Sequence, residues 1–489
     1  MKKHHLTRSA LVVILSAILV VAIGCAKKDE GKIPITTTSE SAREYYLQGR
    51  DLFERLQAQE SRQYFEKAVA EDPNFAMGYL FLSFAQPTNK GFFENLDKAV
   101  ALVDNASEGE RLWILGVEAG TNAFAMKQRE LYQQLVELYP NDERAHNLLG
   151  TNYFGQQEYA SAIEVYNKAT EIAPNFSPPY NQLGYAHRFL ENYAEAEKAF
   201  QKYIELIPDD PNPYDSYAEL LLKMGRYDES IENYRNALEY NPNFVASHIG
   251  IATNLNYKGQ HGEARKQLQK LYDIARNDGE RRAAHFAMTV SYVDQGDMDK
   301  ALKEQEKQYA LAEKINDATA MAGDLVTMGD ILREMGKYDQ ALEKHEKAVE
   351  IVEASDRSEE VKDNFRRGFL YNSARVAFKK GDFATAKAQA EEYRQRVEAI
   401  KNPFQIRLAH QLAGMIALEE KEYNTALSEL QQANQQNPYN FYRIALAYRG
   451  KGDKEKAKEF SLKAANFNQL NSLAQAYIRT KAQRLADEM

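Results

Sequence analysis

Apolar residues recur at helical spacing along most of the chain, in paired segments that a short polar turn separates. Residues 177–210, "SPPYNQLGYAHRFLENYAEAEKAFQKYIELIPDD", contain one such segment, a turn and a second segment that ends at a proline. Residues 212–244, "NPYDSYAELLLKMGRYDESIENYRNALEYNPNF", repeat the arrangement. Because the apolar positions follow the period of a helix on both sides of each turn, the pattern predicts helix–turn–helix pairs.

The pairs have a constant length over much of the chain. Four small residues at corresponding positions follow one another at intervals of 34 residues: Ala162, Ala196, Ser230 and Ala264. The unit that contains the first of them carries, in order, His146, Leu149, Gly150, Tyr153, Ala162, Tyr166 and Pro174. These positions resemble the tetratricopeptide repeat (TPR), whose signature is W-x2-L-G-x2-Y, then A-x3-F, then a proline.

The resemblance covers residues 42–467 and implies an all-α fold. We expect an α-solenoid, or superhelix, of about 12 TPR-like units that start near residues 42, 76, 109, 143, 177, 211, 245, 282, 322, 367, 407 and 438. Residues 42–278 hold mostly 34-residue units, and residues 279–467 hold longer, irregular ones. Residues 468–489 carry Leu470, Leu473 and Tyr477 on one face and are predicted to form a capping helix.

The residue types suit close packing of the two helices in a unit. Small residues such as Gly184 and Ala196 let the helices approach, while large residues fill the gaps between neighbouring helices. Turns such as "MGRYDES" and "KGDFATA" place glycine where a helix ends with positive φ.

The N-terminal residues have the pattern of an export signal. A basic segment, "MKKHHLTR", precedes an uncharged apolar run that ends at Cys25, the only cysteine of the chain. The sequence "VAIGC" at residues 21–25 resembles the lipobox of bacterial lipoproteins. That resemblance implies a signal peptide over residues 1–24, a lipid on Cys25 and a flexible tether over residues 25–41. The alternative is an uncleaved helix that anchors the chain in the inner membrane.

The resemblance also implies a location for the exported protein. A lipidated protein with Ala26 after the cysteine is expected on the periplasmic face of the outer membrane. Net charge is −9, and removal of Lys2, Lys3 and Arg8 with the signal leaves −12. Because an acidic body repels phosphate backbones, nucleic acid is not an expected partner.

Candidate chemistry is sparse. Most of the nine histidines fall at packing positions of the repeat, and "HEKAV" at residue 345 lacks the second histidine of a zinc helix. Phosphate loops and serine-nucleophile elbows do not occur in the sequence. We therefore expect no enzyme activity, no cofactor and no metal site.

The first helix of each unit lines the concave face in this repeat family, at unit positions 2, 5, 9 and 12. The candidate protein-binding residues at these positions are Trp113, Asn147, Asn181, Tyr185, Arg188, Asp215, Glu219 and Asn256. Their mixture of amides, aromatic rings and both charges suits recognition of a protein or peptide. The row could also be a solvated face, and Trp113 could equally pack against the preceding unit. The alternative function is the binding of a small solute or glycan in the groove.

Overall fold

The computed structural model describes residues 31–489, which form 25 α-helices, a short 3-10 helix at Val103–Asn105 and no β-strand. The predicted signal peptide and Cys25 lie outside the described residues. The helices are α1 Glu40–Glu54, α2 Ala58–Glu71, α3 Ala76–Phe84, α4 Asn89–Ala101, α5 Glu108–Thr121, α6 Ala125–Leu138, α7 Glu143–Gly155, α8 Tyr159–Ile172, α9 Pro178–Phe189, α10 Tyr193–Leu206, α11 Pro211–Lys223, α12 Tyr227–Tyr240, α13 Val245–Tyr257, α14 His261–Ile274, α15 Asp278–Gln295, α16 Met298–Lys314, α17 Ala318–Glu334, α18 Tyr338–Glu353, α19 Glu359–Lys380, α20 Phe383–Ala399, α21 Pro403–Glu419, α22 Tyr423–Gln432, α23 Pro438–Gly450, α24 Lys454–Ala465 and α25 Leu473–Asp487.

Helices α1 to α24 pack as consecutive pairs, which makes 12 units in the described residues, and α25 packs on α24. The predicted all-α solenoid is confirmed. Longer helices account for most of the irregular spacing after residue 278. Helix α19 alone has 22 residues, against 13 in α11.

Each unit is held together where a large side chain covers a small residue of the facing helix. A Cβ atom added at Gly184 of α9 would lie 2.5 Å from the ring of Phe200 on α10. Ala196, one turn before Phe200, is fully buried. The same contact recurs between Gly150 and Tyr166. Because protein interiors are packed as densely as organic crystals, these positions have no room for an added methyl group.

The solenoid is wound so tightly that its successive turns touch. We call the residues that precede and open the first helix of a unit its amino edge, and the turn between its two helices its turn edge. Arg276, at the amino edge of unit 8, forms an ion pair of 2.6 Å with Glu60 at the turn edge of unit 1. Lys90 of unit 2 donates its backbone N–H to Asp317 of unit 9 at 3.0 Å. Ser358 of unit 10 approaches Asn122 of unit 3 at 3.4 Å. Asn402 of unit 11 reaches the carbonyl of Ala123 eight units earlier, and Gln57 of unit 1 reaches Asp210 of unit 6, five units later. Most contacts between turns thus join units that are seven or eight apart.

The C-terminal helix α25 packs against α15, which belongs to the middle of the repeat array. Arg479 of α25 forms a two-point ion pair with Asp294 at the end of α15, with distances of 2.6 and 2.9 Å. The Asp294 side chain is 1% exposed, and His261 contacts it at 2.9 Å. Lys223 also donates to the carbonyl of Phe467, 244 residues further along the chain. The predicted capping helix thus covers the last unit and clamps two turns of the solenoid together.

Replacing Ala196 with Leu should overpack α9 against α10 and lower the free energy of unfolding by roughly 1 to 3 kcal/mol. The matched control is Ala194→Leu, because Ala194 lies on the same helix but is exposed. Denaturant unfolding of the full chain measures both. Equal midpoints for the two variants would show that the helix register is wrong.

Replacing Arg479 with Ala should leave the Asp294 carboxylate buried with His261 as its remaining side-chain hydrogen-bond partner. We expect a loss of about 2 kcal/mol, less than for a fully buried pair because Arg479 is a quarter exposed. Hydrogen exchange should rise first in residues 467–489. Arg484→Ala, on the exposed face of the same helix, is the control; unchanged exchange in Arg479→Ala would contradict the clamp.

Candidate functional site

An extended segment that we call the strap, residues 31–39, lies across the first four units. Its odd-numbered residues from Ile33 are half-buried and its even-numbered ones are exposed, which is the alternation of an extended chain. These residues belong to the predicted flexible tether. That description is wrong for residues 32–38, because they make specific hydrogen bonds and apolar contacts with the array; for residues 25–30 it stays a prediction outside the described residues.

Three carboxylates at the amino edges of units 2, 3 and 4 hold the backbone of the strap. Asp142 accepts the N–H of Ile33 at 2.8 Å, and Glu110 accepts the N–H of Thr36 at 2.8 Å. Asp72 accepts the N–H of Thr38 at 3.2 Å and the hydroxyl of Thr37 at 2.5 Å. The strap therefore runs against the order of the units, from unit 4 back to unit 2.

The same carboxylates also satisfy the elements to which they belong. Oδ1 of Asp142 accepts the N–H groups of Arg144 and Ala145 and so caps α7, while Oδ2 binds the strap. Glu110 uses Oε2 in a capping box with Ser107 at the start of α5. A helix start leaves N–H groups without partners inside the helix, and side-chain oxygens satisfy them. The second oxygen of each carboxylate is therefore available to accept a backbone N–H group of the strap.

Apolar and charged side chains of the strap add specificity. Ile33 and Ile35 pack against the hydrophobic core of units 1 to 4. Lys32 forms an ion pair with Glu143 and donates to the carbonyl of Asn141. Burial alone would raise the pKa of Glu143, but the hydrogen bond from Lys32, a backbone hydrogen bond and the charges of Arg144 and Lys32 together hold the pKa below its ordinary value.

A cavity of about 360 Å³ remains between the strap and the first helices of the units. Its apolar wall includes Tyr46, Met77 and Trp113, and its charged wall includes Arg43, Arg50 and Arg144. Two of the arginines are held by Glu54: Arg144 at 2.6 Å and Arg50 at 3.8 Å. The cavity has the mixed lining expected of a pocket for an organic ligand or a side chain.

For Trp113 the sequence left two roles open, packing against the preceding unit and contact with a binding partner. Its ring packs edge-on against Phe81 of unit 2 at a centroid distance of 5.6 Å, and it is 7% exposed. It also lines the cavity beneath the strap, and its buried Nε1–H has no hydrogen-bond partner. Packing against the preceding unit is thus shown, and contact with a binding partner stays a prediction.

The central part of the predicted row is buried and paired within the chain. Arg188 donates to Glu219 at 2.7 Å, and Tyr185 donates to the same carboxylate at 3.0 Å. Burial raises the pKa of Tyr185 well above its ordinary value. These two side chains take part in the packing of α9 against α11, so this part of the row is not a merely solvated face. Truncating Arg188 would leave Glu219 without its charge partner.

The other residues of the predicted row differ in how many of their polar side-chain atoms have a hydrogen-bond partner. Asp215 is 5% exposed and accepts from Ser247 at 2.7 Å, and Asn256 accepts from Ser291 at 2.8 Å. Asn181 is buried and Asn147 is half-buried, and the amide oxygen of each has no hydrogen-bond partner. The structure thus places Asn181, Tyr185, Arg188, Asp215 and Glu219 on the facing first helices α9 and α11. Trp113 lies with the strap instead.

Sequence reasoning missed the strap and the carboxylates that hold it. The alternation of Ile33 and Ile35 was a possible signal, but two apolar positions are too few to predict an extended segment. Asp142 and Glu110 were recognisable as residues at the start of a helix. Their second hydrogen-bond partners are backbone N–H groups of the strap, which lie 74 and 109 residues earlier in the sequence and are brought close only by the fold.

Among residues 31–489, no cluster of three or more histidine, cysteine, aspartate and glutamate side chains could hold a metal ion. The helices of this same range also include none with the length and apolar character needed to span a bilayer.

Asp215 should make the stability of the protein depend on pH. Burial raises the pKa of its carboxyl from 3.8 to about 7, against the hydrogen bond from Ser247. Since the folded pKa lies above the unfolded one, the stabilisation is complete below about pH 4 and is lost as the pH rises to about 7. Asp215→Asn should recover on the order of a few kcal/mol at about pH 8 and little at about pH 4.

Urea unfolding at the two pH values, with Asp209→Asn as the exposed control, measures the difference. An equal gain at both values would show that the Asp215 carboxyl does not titrate in this range.

Models of the tetratricopeptide repeat match five spans, residues 143–176, 177–210, 211–244, 284–354 and 438–469. No protein with a curated description matches the sequence. Two crystal structures of MamA are 22% and 23% identical to it, cover 34% and 32% of this chain and 91% and 92% of their own, and have TM-scores of 0.29 and 0.28. The structure of YrrB, described as a TPR protein with an unusual peptide-binding site, is 19% identical, covers 37% of this chain and 91% of its own, and has a TM-score of 0.26. The chain therefore contains tetratricopeptide repeats, and its fold is an all-α TPR solenoid.

Proposed function

We propose that this protein is a non-enzymatic scaffold that binds proteins or peptides and is held at the bacterial cell envelope by a lipid on Cys25. The strap carries the binding part of the proposal. Units 1 to 4 hold an extended chain through carboxylates that accept its N–H groups and through an apolar wall that takes alternate side chains. Capture of an extended segment by backbone hydrogen bonds and side-chain pockets is a common mode of peptide recognition.

The surface of the strap site suits a protein partner better than a nucleic acid. Asp72, Glu110, Asp142 and Glu143 face the bound segment with carboxylate oxygens, which repel a phosphate backbone. Leu47, which lines the cavity, is 37% exposed and offers an apolar contact at the rim. Protein interfaces combine apolar contacts at their core with polar and charged residues around them, and Leu47 beside these paired charges offers both.

The lipid part of the proposal rests on the sequence. Cys25 is the only cysteine and ends an apolar run that follows basic residues. Each buried methylene contributes about 0.8 kcal/mol, so several acyl chains on one residue would anchor the protein stably. Cys25 precedes Gly31 by six residues, and an extended chain of that length spans at most about 22 Å. The strap site would then face partners close to the membrane, on the periplasmic side of the outer membrane.

A second candidate function, the binding of a small solute, is favoured by a different cavity. This cavity of about 230 Å³ lies among α18, α19 and α21 and is lined by Phe365, Tyr371, Tyr393 and Phe404. Aromatic walls of this kind suit apolar rings and sugar faces. A thermal-shift screen with Tyr393→Ala as control separates the two functions, because a peptide partner at the strap site does not need this cavity.

Replacing Cys25 with Ser should remove the lipid attachment point and release the protein from membranes. Fractionation of cells that express the wild type and Cys25→Ser measures the membrane-bound share. Mass spectrometry of the wild-type N-terminus should show an acylated cysteine. Normal membrane retention of the variant would exclude the lipid anchor and favour the uncleaved helix.

A photo-crosslinking side chain at Leu47 should capture a protein partner in intact cells, because this residue lies at the rim of the strap site. The control position is Tyr240 on α12, which is 46% exposed and distant from the strap in the sequence. A light-dependent adduct at position 47 alone supports the scaffold. Identical adducts at both positions, or none at either, would contradict it.

A further inference from the structure

The strap occupies the place where a preceding superhelical turn would lie. In later units the amino edge is reached by the turn edge of a much earlier unit, as when Asp317 of unit 9 accepts the backbone N–H of Lys90, seven units earlier. Within residues 31–489, units 2 to 4 follow no unit that lies a full superhelical turn earlier. There, Asp72, Glu110 and Asp142 accept the strap instead.

We propose that the amino edges of units 2 to 4 form a peptide-binding site, which the strap of the same chain occupies. A partner protein opens this site by displacing the strap with a segment of similar chemistry. This rests on the proposed scaffold function and names its partner. The segment is extended, begins with a basic residue, has branched or larger apolar residues at its second and fourth positions, and continues with hydroxyl residues. The strap, "KIPITTTS" at residues 32–39, is the resident example.

Each part of this chemistry corresponds to a contact. The basic residue corresponds to Lys32, which binds Glu143 and a backbone carbonyl. The apolar residues correspond to Ile33 and Ile35, which contact the core of units 1 to 4. The hydroxyl corresponds to Thr37, whose Oγ donates to Asp72. Three of the remaining contacts go to backbone N–H groups, which any extended segment without proline at those positions supplies.

The strap is held firmly enough to define the site but not enough to exclude a competitor. Lys32 is more than half exposed, and alternate strap residues face solvent. Exposed ion pairs contribute little to stability. Within residues 31–489 no β-strand pairs with the strap. Its hydrogen bonds are therefore more open to exchange with water than those inside the helices. Segments of this kind detach at a lower free energy than the body of a domain.

The cavity explains how a partner can bind in place of a tethered segment. A short tether gives the strap an effective concentration in the millimolar range, so a free segment must bind more tightly. The two isoleucines leave about 360 Å³ beside Tyr46, Met77 and Trp113 unfilled. An aromatic residue at the position of Ile35 fills part of this space and gains contact area that the strap lacks.

Trp113 provides a direct signal for the test because it is the only tryptophan and lines the cavity. In the full-length protein, Ile33→Ser with Ile35→Ser should release the strap and shift the emission of Trp113 to longer wavelength as water enters. Leu190→Ser with Phe383→Ser, two exposed positions outside the site, is the control pair and should not shift it.

Added peptide KIPITTTS should reverse the shift in the strap variant with saturable binding. The wild type should require at least about tenfold more peptide, because its own strap competes. A peptide with Phe in place of Ile35 should bind several-fold more tightly, and one with Ser in place of both isoleucines should not bind. Equal affinity of KIPITTTS for the wild type and the strap variant would overturn the proposal that the strap blocks the site. Absence of binding to either protein would overturn the proposal of a peptide-binding site.

Hydrogen exchange on the wild type tests the proposal without a variant. Excess peptide should deprotect the amides of Ile33, Thr36 and Thr38, which the strap hydrogen-bonds to the three carboxylates. Unchanged protection at saturating peptide would contradict displacement. Light scattering of the strap variant should show an unchanged mass; a doubled mass would assign the site to a second copy of this chain instead.

Failure of this inference and failure of the scaffold function are distinguishable. A partner crosslinked at Leu47 in cells, together with no peptide binding in solution, would overturn only the strap mechanism. Peptide binding without a cellular partner would leave the site intact and overturn the scaffold function.

Discussion

The aspartates that cap the first helices of several units each serve two parts of the chain. Asp142, Asp210 and Asp317 all accept helix-start N–H groups with Oδ1. With Oδ2 they accept from Ile33, Gln57 and Lys90, respectively, which belong to distant segments. Helix starts need an acceptor in any case, and a carboxylate has more lone pairs than the helix uses. The stacking of superhelical turns and the docking of the strap both depend on this second oxygen.

This arrangement changes the energetics of the solenoid. In an open repeat array each unit contacts its neighbours alone, and stability is approximately a sum over units and their interfaces. Here Arg276 pairs with Glu60 across seven units, and Arg479 pairs with Asp294 from the C-terminal helix. A change at one unit is therefore felt a full superhelical turn away. We expect the array to unfold with longer-range cooperativity than its repeat sequence suggests.

The units could be predicted from the sequence because their packing is local. Gly184, Ala196 and Phe200 lie within one helix pair, so their spacing alone places them in contact. The pairing of Arg188 with Glu219 was missed because it joins neighbouring first helices, whose separation depends on the rotation between units. The strap was missed for a related reason. Its partners Asp72, Glu110 and Asp142 lie on three successive units, 34 to 109 residues further along the chain, and come together only after the array has curved.

The dependence of the strap on distant carboxylates has a consequence for the order of assembly. Lys32 and its partner Glu143 are 111 residues apart. At ordinary rates of synthesis the second residue follows the first by roughly 6 to 20 s. During that interval the binding site for the strap is incomplete, and the two isoleucines of the strap are exposed. The strap, which is synthesised before units 1 to 4, thus settles only after the start of unit 4 is available, which gives chaperones and partners a period of access that the finished molecule does not offer.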